Sequence, residues 1–580
     1  MRAIILSYLL LIAFYCNAQQ WRIAKLNENN IISVTNVEAA LQTSHSNKNF
    51  SQLSGFPIGV IANASFKNMR NVALADINGD SISDIIFATN NTIYAYSYQG
   101  LIWQKSLIGV AIYPPSIGDV NGDGQVEIVQ VTGGSPSNGR IYVFDINGNT
   151  LAGWPLSFND NWILTSPVLS DVDNDGSMEI IVSERTYPVG RIHILKHDGS
   201  SYSNDWPVTL NGTPAVTPSV ADVDNDGQKD IVVCSTTSRY IFGLDGQPKL
   251  GFPNVTEPFQ KYSYQSPIIA DLDNDNNCEI IGATHGDLPH FYVTNNDGSD
   301  YTNWPLIVPD NSWTYSTPTV VKINASWNIF MSRPIGASID DMLYGWDDLG
   351  NLLPNFPILK SGGLEGYISI ADVDNDSEFE LVFGSNMTDT SGYGFIHAYN
   401  MDGSGEVSGF PIRPYGWTFM NGVCIGDING DSIMDITALS YTNTFGASTD
   451  STFINVYNLN TPYSPNKVLW STYKGDNTRV GYVGDIQTQV LNNNTINKEL
   501  VISPNPVGKN MNIKFNMPYK GNVYIYVYDN LGKSVMKKNI GTFLKGKQEF
   551  KTNTNNIKQG FYTLIIYSDN KIIGTAKFVK

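Results

Sequence analysis

The sequence predicts an all-β chain: a β-propeller of eight blades, or seven if one repeat folds irregularly, followed by a small C-terminal β-sandwich. Three observations carry this. A nine-residue loop with oxygen-bearing side chains at fixed positions recurs seven times between Asp76 and Asp435. β-branched runs bounded by turn residues flank each loop. The whole unit returns about every fifty residues, the period of a four-stranded blade.

The loops read DINGDSISD (76–84), DVNGDGQVE (119–127), DVDNDGSME (171–179), DVDNDGQKD (222–230), DLDNDNNCE (271–279), DVDNDSEFE (372–380) and DINGDSIMD (427–435). Position one is Asp76, Asp119, Asp171, Asp222, Asp271, Asp372 or Asp427. Position three is Asn78, Asn121, Asp173, Asp224, Asp273, Asp374 or Asn429, and position five is Asp80, Asp123, Asp175, Asp226, Asp275, Asp376 or Asp431. Position nine is Asp84, Glu127, Glu179, Asp230, Glu279, Glu380 or Asp435. The fourth residue is always Gly or Asn, types that tolerate positive φ in a tight turn. Crowded carboxylates repel one another, and a hard cation that takes six to eight oxygens removes the repulsion. Calcium is therefore the expected ligand, at about seven sites. A helical calcium loop is excluded, because its twelfth-position Glu is missing from every copy.

Each loop is expected to join two strands of a hairpin, with the ninth-position acid opening the second strand, as in PSVA (218–221) before and IVVC (231–234) after. A third, aromatic-rich strand such as RIYVFDINGN (140–149) ends in an Asn-Gly or Asp-Gly turn. A fourth element carries Trp-Pro or Phe-Pro, which suits an edge strand. The small residue before most loops, such as Ala221 or Gly426, suits an innermost strand. An eighth, degenerate copy, TPTVVKINASWN (317–328), has Lys322 for the first acid and is expected to bind no metal. GFPIGV (55–60) resembles a fourth strand and is expected to pair with INVYNL (454–459), closing the ring.

This constellation resembles the FG-GAP/VCBS repeats of integrin-α-type propellers, over roughly residues 55–480. The resemblance implies calcium held by the side chains of positions one, three, five and nine and by the carbonyl of position seven. Lys322 is the departure.

The chain divides into residues 1–18, a secretory signal peptide; 19–54, an N-terminal segment; 55–487, the repeats; 488–499, an Asn-rich linker; and 500–580. Tyr15 is too bulky for Cys16 to be a lipoprotein cysteine. The last part, with its PNP entry (504–506), D-x-L-G-K (529–533) and G-F-Y-x-x-x-I (560–566), resembles the C-terminal sorting domain of the type IX secretion system of Bacteroidetes. The resemblance implies a protein secreted or attached to the outer cell surface, with the secretion machinery as a partner. Cys234, Cys278 and Cys424 are scattered and odd in number, so buried thiols are expected rather than disulfides. The net charge of −18 is mostly loop acid, and no basic stripe points to nucleic acid. No further apolar segment is long enough to span a membrane, and the chain is read as a monomer.

No nucleophile elbow, zinc motif or phosphate-cradling loop is present. Propeller topology instead gathers Trp162, Arg185, Tyr264, His285, Trp313, Arg333 and Trp417 on the face opposite the calcium hairpins. Aromatics interleaved with cations suit sugar stacking and carboxylate recognition. The expected function is a calcium-stabilised binding module for glycans or cell-surface proteins. A polysaccharide lyase or hydrolase, with His285 and Arg333 or Arg185 as first candidates, and a structural or adhesive surface protein are the alternatives.

Overall fold

Strands dominate the chain because β-branched and aromatic runs alternate with Gly-, Asn- and Asp-rich turns. The structure, a computed structural model, describes residues 20–26, 32–38, 50–484 and 500–580, apart from 64–68, 134–137, 160, 164, 187, 256–259, 263–264, 310–315, 324–325, 334–342, 360–362, 443–449, 518–519, 530–533, 556 and 569–570. The signal peptide, the Asn-rich linker, Tyr264 and Trp313 lie outside the described residues. The chain forms two compact units, Met1–Gln487 and Thr488–Lys580.

In the first unit, eight sheets follow one another among the described residues, one per repeat, antiparallel except where Tyr482–Val483 joins the fifth in parallel. The fourth is representative: Ser219–Ala221, Asp230–Cys234, Ser238–Phe242 and Asn254–Val255 lie side by side in chain order. The nine-residue loop joins the first strand to the second, and Ala221 pairs with Asp230 across its mouth. The degenerate sixth copy differs. Thr319–Ile323 and Ser326–Ser332 pair with Ile323 opposite Ser326, so a tight hairpin stands where the others have a loop. In the eighth sheet Asp450–Pro462 pairs with Ile433–Tyr441 and, on its other side, with the N-terminal strand Ile58–Ala62, Ile454 facing Ile58.

Six of the eight short first strands are wholly buried, the exceptions being Ala73–Ala75 and Thr319–Ile323, and four of the strands bond to the next repeat through small hydroxyls. Ser116 Oγ donates to Pro167 O at 2.6 Å, Ser219 Oγ to Pro267 O at 2.6 Å, Thr319 Oγ1 to Ile368 O at 2.8 Å and Ser369 Oγ to Val423 O at 2.6 Å. Farther out, indoles join successive repeats. Trp154 Nε1 donates to His197 O, Trp206 Nε1 to Leu244 O and Trp304 Nε1 to Asp348 O, each at 2.8 Å. The Trp-Pro and Phe-Pro bonds at Pro57, Pro155, Pro207, Pro253, Pro305, Pro357 and Pro411 are cis. The three described cysteines are free and buried.

Residues 467–483, after the last repeat, run past the first strands of most repeats and give a backbone carbonyl to one after another. Lys467 O accepts from Asp372, Ser471 O from Ile425, Asn477 O from Ile117, Thr478 O from Leu169, Val480 O from Val220 and Gly481 O from Ile269, at 2.9–3.1 Å. Two cations are buried in this segment. The Lys474 ammonium donates to Pro218 O and to Ser219 Oγ, the latter at 2.6 Å. The Arg479 guanidinium donates to Thr472 Oγ1, Tyr473 O and Asp476 O at 2.8–3.0 Å.

At the N-terminus Gln20–Leu26 and Ile32–Glu38 form a hairpin that adds to Met387–Asp389. Asn386 and Ala24 exchange bonds, Ala24 N–H to Asn386 O at 3.0 Å and Asn386 Nδ2 to Ala24 O at 2.6 Å. The second unit has two sheets, one of Val501–Ser503, Asn510–Met517 and Gly546–Asn553, the other of Ser534–Phe543, Gly521–Asp529, Phe561–Ser568 and Lys571–Val579. Both contribute to a single apolar core that includes Ile513, Phe515, Val523, Ile525, Leu564 and Ile566.

Candidate functional site

All seven nine-residue loops share one hydrogen-bond plan. The ninth-position carboxylate is buried and accepts the backbone N–H of the second residue, from Ile77 to Asp84 at 3.1 Å through Leu272 to Glu279 at 2.7 Å to Ile428 to Asp435 at 3.0 Å. In most copies the first Asp accepts the sixth N–H, as Gly124 to Asp119 at 2.8 Å, and the fifth Asp accepts the seventh, as Gln125 to Asp123 at 2.8 Å. The fourth residue has positive φ in every copy, from 56° at Asn225 to 82° at Gly79. The sixth does too, although it is Ser81, Asn276, Ser377 or Ser432 in four copies. The sequence pattern draws attention to position four and not to six, because the copies without glycine carry Asn at four but mostly Ser at six, and serine does not announce a left-handed residue.

This plan turns carboxylate oxygens inward. Ligand atoms of Asp171, Asp173 and Glu179 lie within 4.8 Å of one another, as do those of Asp222, Asp224 and Asp230, of Asp271, Asp273 and Glu279, and of Asp372, Asp374 and Glu380. Burial pushes the ninth-position carboxyls up, against the pull of their backbone bonds and with neighbouring acids adding to the rise. Asp84 moves to about 6, Glu127, Glu179 and Asp435 to about 7, and Glu279 and Glu380 to about 8. Asp271 Oδ1, Glu380 Oε1 and Asp435 Oδ1 are buried with no hydrogen-bond donor in reach. Inward oxygens lacking donors, beside acids that hold their protons near neutrality, fit a hard divalent cation.

At the opposite ends of the same strands the expected ligand face divides. Trp162 and Arg185 meet as a directly opposed cross-strand pair, with the guanidinium 5.9 Å from the indole centroid and both side chains half-buried. Beneath them Glu184 accepts from Asn161 Nδ2 at 2.6 Å and lies 2.7 Å from His193 Nε2. Tyr393 and Tyr415 bridge, with rings 5.5 Å apart, and are 45% and 42% exposed.

Three expected ligand residues are corrected by the fold. Trp417 is 1% exposed, packed with Ala24, Phe419 and Tyr441 and covered by Arg22 of the N-terminal hairpin at 5.6 Å. Arg333 is 1% exposed and donates to the Tyr344 hydroxyl at 3.1 Å. His285 is 6% exposed, on a strand that pairs with Gln260–Lys261. Of the first catalytic candidates, His285 and Arg333 are therefore packed into the fold, whereas Arg185 is half-buried.

Residues 119–182, spanning the second and third loops, match the FG-GAP-like repeat, and residues 501–580 match the secretion system C-terminal sorting domain. The chain carries a type IX sorting domain. It is accordingly secreted or attached to the outer cell surface, and the secretion machinery is a partner. No helix among the described residues is long and apolar enough to cross a membrane. Among solved structures the chain is similar to the V. cholerae biofilm matrix protein Bap1, at 15% identity over 73% of this chain and 94% of that one, with a TM-score of 0.35. It is also similar to the C-terminal domain of Pseudomonas aeruginosa PilY1, at 9% identity over 65% and 94%, with a TM-score of 0.36. A third is PorZ, a surface component of the type IX secretion system of Porphyromonas gingivalis, at 11% identity over 96% and 90%, with a TM-score of 0.23. No curated protein matches the chain.

Proposed function

We propose that this is a surface-displayed, calcium-stabilised binding module for glycans, built as an eight-bladed β-propeller. The propeller reading is supported by the hydroxyl bonds between successive first strands and by the pairing of Ile58–Ala62 with the eighth sheet. The calcium reading is supported by the inward oxygens of the loops. Calcium there holds the first and second strands of a repeat together and replaces the protons that the ninth-position acids otherwise keep.

The observation that carries the binding reading is the Trp162–Arg185 pair. An indole face with a guanidinium beside it offers a sugar both a stacking surface and a bidentate donor for a carboxylate or sulfate. Tyr393 and Tyr415 present a second exposed aromatic pair, joined by an isolated β-bridge.

Retention of the mature protein on algal and plant polysaccharides, by gel retardation, tests this. Trp162→Ala should weaken binding by about 1–3 kcal/mol, taking base-stacking losses as the analogue, with an unchanged melt. Wild-type protein that is retained by no acidic polysaccharide, or Trp162→Ala protein retained as strongly as wild type, overturns the glycan reading.

A further inference from the structure

The fourth loop already contains a cation. The Lys249 ammonium lies 2.8 Å from Asp224 Oδ2, 2.9 Å from Asp226 Oδ2 and 3.1 Å from Asp230 Oδ1, so it touches positions three, five and nine together. It donates hydrogen bonds to Asp224 and Asp226 and stands within ion-pair distance of Asp230.

Lys249 comes from outside the loop, from the turn that leaves the third strand, where its N–H donates to Ile241 O. The same backbone bond identifies its counterparts in other repeats: Leu151 to Val143 O, Tyr202 to Ile194 O, Tyr301 to Val293 O, Leu353 to Gly345 O and Val407 to Ala398 O. None of these five is cationic. Tyr202 and Tyr301 feel the carboxylates of their own loops, which puts this position beside the loop in those repeats as well. The lysine thus sets the fourth repeat apart from these five. Among the described residues Lys467 also pairs with a loop acid, but with Asp372 alone, at 2.9 Å.

We infer that Lys249 is the resident cation of the fourth loop, standing where calcium would bind, so that this loop takes no calcium while the other complete loops do. A calcium ion would need the same oxygens at about 2.3–2.6 Å, and two cations cannot share them. The ammonium is tethered by the chain and competes at the high effective concentration of an intramolecular partner. The inference rests on the calcium reading for the remaining loops.

The experiment compares wild type, Lys249→Leu and Lys249→Gln in two measurements: calcium bound per chain by atomic absorption after dialysis, and melting in excess EDTA. Both variants should bind one calcium more than wild type. In EDTA both should melt several degrees lower, because three clustered carboxylates then lack a counter-ion, and added calcium should restore the melt. Equal, non-zero calcium in all three proteins, or superimposable EDTA melts, overturns the inference. If no protein takes up calcium, the calcium reading fails while the EDTA melts still decide whether Lys249 is the loop's counter-ion.

Discussion

Leu272 gives its backbone N–H to Glu279 at 2.7 Å, and the carboxylate that accepts it is buried beside Asp271, Asp273 and Asp275. One hydrogen bond thereby fixes the mouth of the loop and brings the acids together. The burial that makes this geometry rigid also raises the Glu279 pKa to about 8.

The first prediction concerns pH. A carboxyl whose folded pKa is raised binds its proton more tightly in the folded state. Its stabilisation is complete below the unfolded value of 4.5 and is lost as pH rises through about 8 for Glu279 and Glu380. In EDTA the melting temperature should fall steadily from about pH 5 to about pH 8. In millimolar calcium the slope should largely vanish, because the metal takes the proton's place. Thermal melts across this range in the two buffers check both halves.

Replacing one ninth-position acid separates metal from proton. Glu279→Gln should remove one bound calcium. It should cost about 1.4 kcal/mol in calcium at tenfold excess over the dissociation constant and little in EDTA at pH 8. Denaturant unfolding with and without calcium measures the difference.

Trp417→Ala should behave as a core truncation. Loss of a buried indole costs about 3–5 kcal/mol, and glycan retention per folded molecule should stay at the wild-type level. A Trp417→Ala protein with a wild-type melt and weakened retention would contradict the packing described for it.

Two truncations distinguish folding from export. A chain ending at residue 487 keeps residues 467–483 and should fold, yet remain inside the outer membrane because the sorting domain is gone. A chain ending at residue 466 loses the carbonyls that serve Ile425, Ile117, Leu169, Val220 and Ile269 and should not reach a cooperative fold. Cell fractionation and circular dichroism of the two products provide the test.

The loops and their flanking strands were legible because their signals are local: acids at fixed spacing, a positive-φ residue at position four, β-branched runs on either side. The degenerate copy was legible as lacking the acid cluster, since Lys322 replaces its first acid, but the tight pairing of Ile323 with Ser326 was not. The segment 467–483 was illegible. STYKGDNTRV (471–480) reads as a polar surface loop, and its bonds run through carbonyls to strands hundreds of residues away. Its Lys474 and Arg479 look like ordinary surface cations until their buried carbonyl partners are seen. Trp417 misled for a similar reason. Its cover comes from a hairpin anchored by Asn386 to Ala24, 362 residues apart. Lys249 sits at a position that spacing marks only as the start of a fourth strand, and its meaning depends on the loop it turns back to touch.

Arrays of repeats ordinarily behave as one-dimensional systems, in which each unit answers only to its neighbours and the ends can fray independently. Residues 467–483 give this array a second dimension. A thread that borrows one amide from repeat after repeat makes the loss of any one sheet felt by non-adjacent ones, and the strand Ile58–Ala62 ties the earliest part of the unit to the latest. Such an array is expected to open as a whole rather than to peel from one end, which suits a protein working outside the cell, beyond the reach of any machinery that could refold it.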